Sequence, residues 1–85
     1  METLYRIFTE NVNKWWIAEC VSRHFQGFTL LEGIGYWEGA SENSLCIEIV
    51  TDDWAKVRIV SQAIKDHNKQ QAILVQKIAI EGKLV

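Results

Sequence analysis

The chain contains no proline, and only two cysteines and one methionine, among 85 residues. With no proline there is no polyproline spacer, and the sequence also lacks repeats and low-complexity tracts, so punctuation falls to glycine and to clusters of small polar residues. Cys20 falls in a helical pattern and Cys46 in a strand pattern, with neither CxxC spacing nor a nearby histidine pair. That excludes a disulfide framework and a zinc site, and both thiols are expected to act as small buried hydrophobes. No apolar run approaches the roughly 20 residues needed to cross a bilayer. The segment Met1-Glu2-Thr3-Leu4-Tyr5-Arg6 lacks the basic and apolar regions of a signal peptide. The expectation is a cytoplasmic protein without a membrane partner. Neither sign of charge dominates: nine basic residues are scattered among eleven acidic ones for a net charge of −2, so the footprint of a nucleic-acid polymer binder is missing.

Motifs of catalysis are absent too. There is no GxSxG, P-loop or HExxH, and Gly33-Ile34-Gly35 continues a strand instead of opening a helix, so it is no dinucleotide fingerprint. The sequence therefore predicts no catalytic residues, no metal and no cofactor.

What is present suits a globular domain: 48% hydrophobic and 24% charged residues. A chain of this size reads as one domain over residues 1–85 and buries about 60 to 65% of its unfolded surface, which makes it marginal as a monomer. Leu4 to Thr9 alternates and reads as a first strand. Thr9, Asn11 and Asn13 offer N-caps and Gly27 a left-handed stop, which predicts a first helix from about Asn11 to Gln26. Its apolar face holds Val12, Trp16, Ile17, Cys20, Val21 and Phe25, while Trp15 lies opposite among Glu19, Ser22 and Gln26. Phe28 to Gly39 is extended, Ala40 to Asn43 reads as a polar turn, and Leu45 to Thr51 is rich in β-formers, which predicts a long hairpin. Thr51, Asp52 and Asp53 cap a second helix with an apolar stripe of Val57, Val60 and Ile64. Ala72 to Ile80 is a last strand. The order β-α-β-β-α-β predicts an α+β, ferredoxin-like fold, with a four-stranded antiparallel sheet and both helices on one face.

The uncovered face is predicted from strand alternation. Leu45, Ile47 and Ile49 share one side of the third strand, and Cys46, Glu48 and Val50 the other; in the first strand Tyr5 and Ile7 alternate with Leu4, Arg6 and Phe8. Neither side is polar enough for water. Arg6, Glu48, Glu32 and Lys77 are expected to pair on the open face, whose apolar remainder packs against another subunit.

The segment Gly35-Tyr36-Trp37-Glu38-Gly39, followed by a polar turn, Ser44 and the strand Leu45-Cys46-Ile47-Glu48-Ile49, resembles the long hairpin of CutA-type proteins, relatives of PII signalling proteins. The resemblance covers about half the chain. It implies a ferredoxin-like fold, trimers built through sheet and hairpin, and clefts between subunits that take nucleotides or small anions. The chain departs from it in lacking a basic phosphate-binding loop and the PII effector loop, and in its Trp15-Trp16 pair.

Remaining polar candidates are weaker. His24 and His67 fall near helix C-termini, expected at the same end of the domain, where a shared site with Asp66 would still need a third ligand. Glu32, Glu38 and Glu48 would serve acid/base chemistry only if the sheet brought two together. The aromatic residues are stronger: four tryptophans are many for this length, and Trp16 and Trp54 are expected to serve the core. Tyr36, Trp37, Glu38, Glu48 and Arg6 are the expected ligand or subunit contacts, and Trp15 with Glu19 the expected partner contact. The leading expectation is a non-enzymatic homo-oligomer holding a small molecule, nucleotide-like ones included, between subunits. The alternative is a protein-interaction or inhibitor module, for example a phage or mobile-element protein that blocks a host factor through Trp15.

Overall fold

The computed structural model describes residues 2–85; Met1, the first position of the amino-terminal segment assessed above, lies outside them. Strand β1 (Glu2–Glu10) is followed by helix α1 (Lys14–Ser22), strands β2 (Thr29–Trp37) and β3 (Ala40–Val50), helix α2 (Trp54–His67) and strand β4 (Leu74–Ile80). The sheet order is β2-β3-β1-β4, all neighbours antiparallel, which is the ferredoxin-like arrangement the element order predicts.

Alternation decides the faces. Tyr5, Ile7 and Thr9 of β1 and Leu45, Ile47 and Ile49 of β3 point under the helices and are buried. They meet Ile17 and Val21 of α1 and Val57, Val60 and Ile64 of α2 in one core. Buried Thr9 accepts a hydrogen bond from the Gln70 side chain at 2.7 Å, so its hydroxyl carries no desolvation penalty. Tyr5 stacks on Trp54 with ring centroids 5.6 Å apart, and Trp16 packs at the margin of the core. Trp54 remains about half exposed, so it serves the core less fully than expected.

The second helix begins as predicted. Asp53 accepts the amide of Lys56 at 3.0 Å, satisfying a donor that the helix leaves free, and Lys65 and His67 put positive charge in the last turn. The first helix is shorter than its apolar stripe suggested. Asn13 sits at its N-cap in a left-handed conformation without capping through its side chain; its amide instead donates to Asn68 at 2.9 Å, and Asn68 donates to the Val12 carbonyl at 3.1 Å. The helix ends at Ser22, with the amides of His24 and Phe25 both bonded to the Val21 carbonyl, and Gly27 does not adopt a left-handed conformation. Tertiary contacts, not the local stop signal, set these ends.

The same Asn pair corrects the placement of the histidines. Antiparallel β1 and β3 feed antiparallel helices, so the end of α2 lies beside the start of α1: His67 stacks on Trp16 with centroids 3.7 Å apart. His24, beyond the other end of α1, is therefore remote from His67, and among the described residues no group of three metal-binding side chains forms.

Candidate functional site

The hairpin turns earlier than predicted. Trp37 pairs with Ala40 across Glu38 and Gly39, whose φ values of 50° and 81° are those of a two-residue turn with both central residues left-handed. Ala40 to Asn43, expected as turn, are thus strand, because the tight turn at Glu38-Gly39 carries the ladder through them. The register runs unbroken from Thr29 opposite Glu48 to Trp37 opposite Ala40, so the glycines mark no bulge. Pairing with β1 stops at Glu10 opposite Ser44, which leaves the last four rungs of the hairpin projecting as a two-stranded arm.

An isolated hairpin is marginal in water, yet this arm exposes large side chains on both faces. Ile34 and Tyr36, 76% exposed, lie on the side of the helices; Trp37, 70% exposed, lies on the side of the open face. Tyr36 and Trp37 therefore cannot line one surface of a single copy. Glu38 occupies the turn itself, far along the arm from Arg6 and Glu48.

At the base of the arm the open face is concave. Phe8, Leu31, Gly33, Ser44 and Cys46 line a shallow groove of about 220 Å³. A Cβ added to Gly33 would meet nothing within 4 Å, so the missing side chain leaves open space. Two residues along the strands, Arg6 Nε bonds Glu48 Oε2 at 2.8 Å, with the Glu48 carboxylate the more buried partner. Cys46 is no latent nucleophile: burial, and then the Glu48 carboxylate, push its thiol up, against a smaller opposing pull from Arg6. Beyond the groove the face carries further apolar side chains, with Leu4 and Ile78 half-buried and Val50 and Leu74 exposed, beside the polar Thr29 and Gln76.

Two expected members of the open-face charge cluster lie elsewhere. Glu32 pairs opposite Leu45 and so faces the helices, where Lys14 Nζ reaches it at 2.6 Å; Lys77 pairs opposite Tyr5 and faces the same way. The Lys14 hydrogen bond and charge, aided by Asn11, hold the Glu32 carboxyl below its usual range. With Glu32 in register opposite Leu45 and Glu48 opposite Thr29, the two carboxylates lie on opposite faces of the sheet, so the candidate acid/base pair does not form. Sequence reasoning missed Leu31, Phe8 and Ser44 as groove residues; the signal available was the Gly33/Gly35 alternation on a strand, which removes side chains from one face only.

Trp15 is 84% exposed on α1, and Glu19, one turn on, lies 3.9 Å from Arg23 in a solvated contact. Trp15→Ala is expected to change unfolding free energy by no more than about 0.5 kcal/mol in urea titration; a loss of about 2 kcal/mol would give the indole a packing role that its exposure denies.

Element order, sheet order and helix placement define a ferredoxin-like α+β protein of the kind found in PII-like proteins. Among solved structures the chain is similar to a DUF3240 family protein from Shewanella baltica OS155, with a TM-score of 0.73 and 19% identity over 99% of this chain and 97% of that one. It is also similar to CPII, a nitrogen regulatory PII-like protein from Thiomonas intermedia K12 bound to ADP, AMP and bicarbonate, with a TM-score of 0.67 and 13% identity over 98% and 96%. A phage SAM lyase in complex with S-methyl-5′-thioadenosine aligns with a TM-score of 0.62 and 17% identity over 91% and 80%. No family model and no curated protein sequence matches the chain. The likeness to PII-like proteins is thus one of fold.

Proposed function

We propose that this protein is a non-enzymatic, homo-oligomeric binding module of the cytoplasm, which holds a small molecule of nucleotide type where the hairpin-base groove of one copy meets a neighbouring copy. One observation carries the reading: among the described residues the open face bears apolar side chains on all four strands (Leu4, Phe8, Leu31, Val50, Leu74, Ile78), with the Arg6–Glu48 ion pair among them, and is hollowed beside Gly33. Apolar faces of this extent on soluble proteins mark contact surfaces. A groove too shallow to enclose a ligand alone becomes a pocket once a second surface closes it. Trp37, on the same face but at the far end of the arm, is placed to supply an aromatic surface to a neighbouring copy's groove. Arg6 and Glu48 satisfy each other when covered, so closure over the middle of the sheet strands neither of these two charges. That fold neighbours hold ADP, AMP or S-methyl-5′-thioadenosine supports the ligand class. The lyase neighbour shows that this fold also carries an enzyme; the separated glutamates and the protonated Cys46 favour binding over catalysis here.

Native mass spectrometry of gently purified protein, followed by titration with ADP, AMP and S-methyl-5′-thioadenosine, tests the proposal. A defined oligomer that retains or takes up one of these per groove is the expected result, and a monomer indifferent to all three overturns it. Gly33→Val is expected to preserve the fold, since its side chain enters open space and a β-branched residue suits a strand, while abolishing ligand uptake. Uptake unchanged in that variant would move the site away from the hairpin base.

The exposure of Trp15 favours a second reading, a protein-interaction module docking through α1. A partner lost on Trp15→Ala with ligand uptake unchanged would support it.

A further inference from the structure

A second groove, of about 340 Å³, lies on the other side of the sheet between α2 and β4, and its chemistry differs from that of the hairpin base. Trp54, Arg58 and Lys65 face it from the helix, and Ile73, just before β4, and Val75 on the strand line its other side. The lining includes no carboxylate, and among the described residues neither Arg58 nor Lys65 has an acidic partner within ion-pair distance. Lys77, two residues beyond Val75 on the same face of β4, lies past the groove and adds a third cation on the α2 side of that strand. In a chain of net charge −2 this is a local concentration of unneutralised positive charge.

The strand beneath the groove is the edge of the sheet, paired with β1 on one side only, so its outer amides and carbonyls have no partner strand. A shallow, open groove beside a free edge suits an extended peptide better than a compact ligand, which it would leave mostly in water. We propose that β4 accepts an extended segment of a partner protein as a fifth strand, and that this segment alternates acidic and apolar residues. The period of two dictates that pattern. Side chains turned toward α2 meet Arg58, Lys65 and Lys77, and those turned the other way lie beside Leu74 and Ile78 on the open face. An apolar strand is disfavoured because it would bury Lys77 unpaired, the device by which edges resist indiscriminate pairing. A segment with acidic side chains on that face removes the penalty.

The test uses the intact protein, labelled with nitrogen-15, and two synthetic ten-residue peptides, one alternating glutamate with valine and one alternating lysine with valine. The acidic peptide is expected to shift the amide signals of 73–79 and the Trp54 indole signal, and the basic peptide to leave them unmoved. Combined Arg58→Glu and Lys65→Glu, both on the surface of α2 and checked for retained helicity by circular dichroism, is expected to weaken binding by about tenfold or more. Methylation of every second peptide nitrogen, on the edge that faces β4, is expected to abolish it. No shift with the acidic peptide at millimolar concentration, shifts confined to the hairpin, or equal binding by the charge-reversed protein overturns the proposal. So does undiminished binding of both methylated registers, which would show attraction without strand pairing.

Discussion

Leu4→Glu is expected to leave the protein monomeric, its secondary structure intact, under conditions where the proposed closure of the open face by a neighbouring copy makes the wild type an oligomer. Leu4 lies on the open face near the middle of the sheet, flanked in register by Val50 and Ile78, and is half-buried in the single copy. In a monomer the new carboxylate reaches water, so folding loses little. In an assembly closed over this face the carboxylate is desolvated without a partner, because Arg6 is already engaged by Glu48. An unpaired buried charge costs several kcal/mol, enough to dissociate a contact of micromolar strength. Sedimentation velocity of the wild-type and variant proteins reads the effect directly. If the variant sediments as the same oligomer, the face is not the contact surface, and the hairpin-base groove has no neighbour to close it.

Ile47→Ala is expected to remove a large share of the protein's stability. Ile47 is fully buried at the centre of β3, opposite Ile7 on one side and Leu30 on the other. Loss of its side chain removes transfer energy and leaves a cavity that two neighbouring strands cannot collapse to fill, a cost of about 3 kcal/mol. A chain of this length has roughly 4 to 13 kcal/mol in total. The midpoint of thermal unfolding is expected to fall by about 12 to 24 °C, measured at a fixed low protein concentration so that assembly contributes equally to both proteins. A change of only a few degrees would mean that the central strand relaxes around the gap, which its pairing on both sides opposes.

Much of this architecture was legible in the residues. Alternation in Leu45 to Val50 and in Leu4 to Phe8 assigned each side chain to the face it occupies, and the Asp53 cap located the start of α2. The hairpin turn is not legible in the sequence, because Ala40 to Asn43 is as polar as a loop and only its pairing with 34–37 makes it strand. The first helix was drawn too long because its apolar stripe continues through Phe25 in sequence, whereas the chain turns after Ser22 and brings Phe25 to the core from outside the helix. At the candidate site, the aromatic residues and the Arg6–Glu48 pair were readable, while the groove was not. A groove is the absence of side chains at Gly33 between neighbours from two other strands, and that requires the register.

Local periodicity and capping chemistry thus determined from sequence alone which segments form strands and helices and which strand residues share a face, because both depend on interactions over a few neighbouring positions. The tertiary structure decided what lies next to what. It alone set Glu32 against Lys14 instead of Glu48, separated His24 from His67, left the hairpin arm projecting, and gathered Arg58, Lys65 and Lys77 along a free edge. These juxtapositions join residues far apart in the chain, and they are fixed by strand order, register and the antiparallel run of the helices, none of which any one segment encodes by itself.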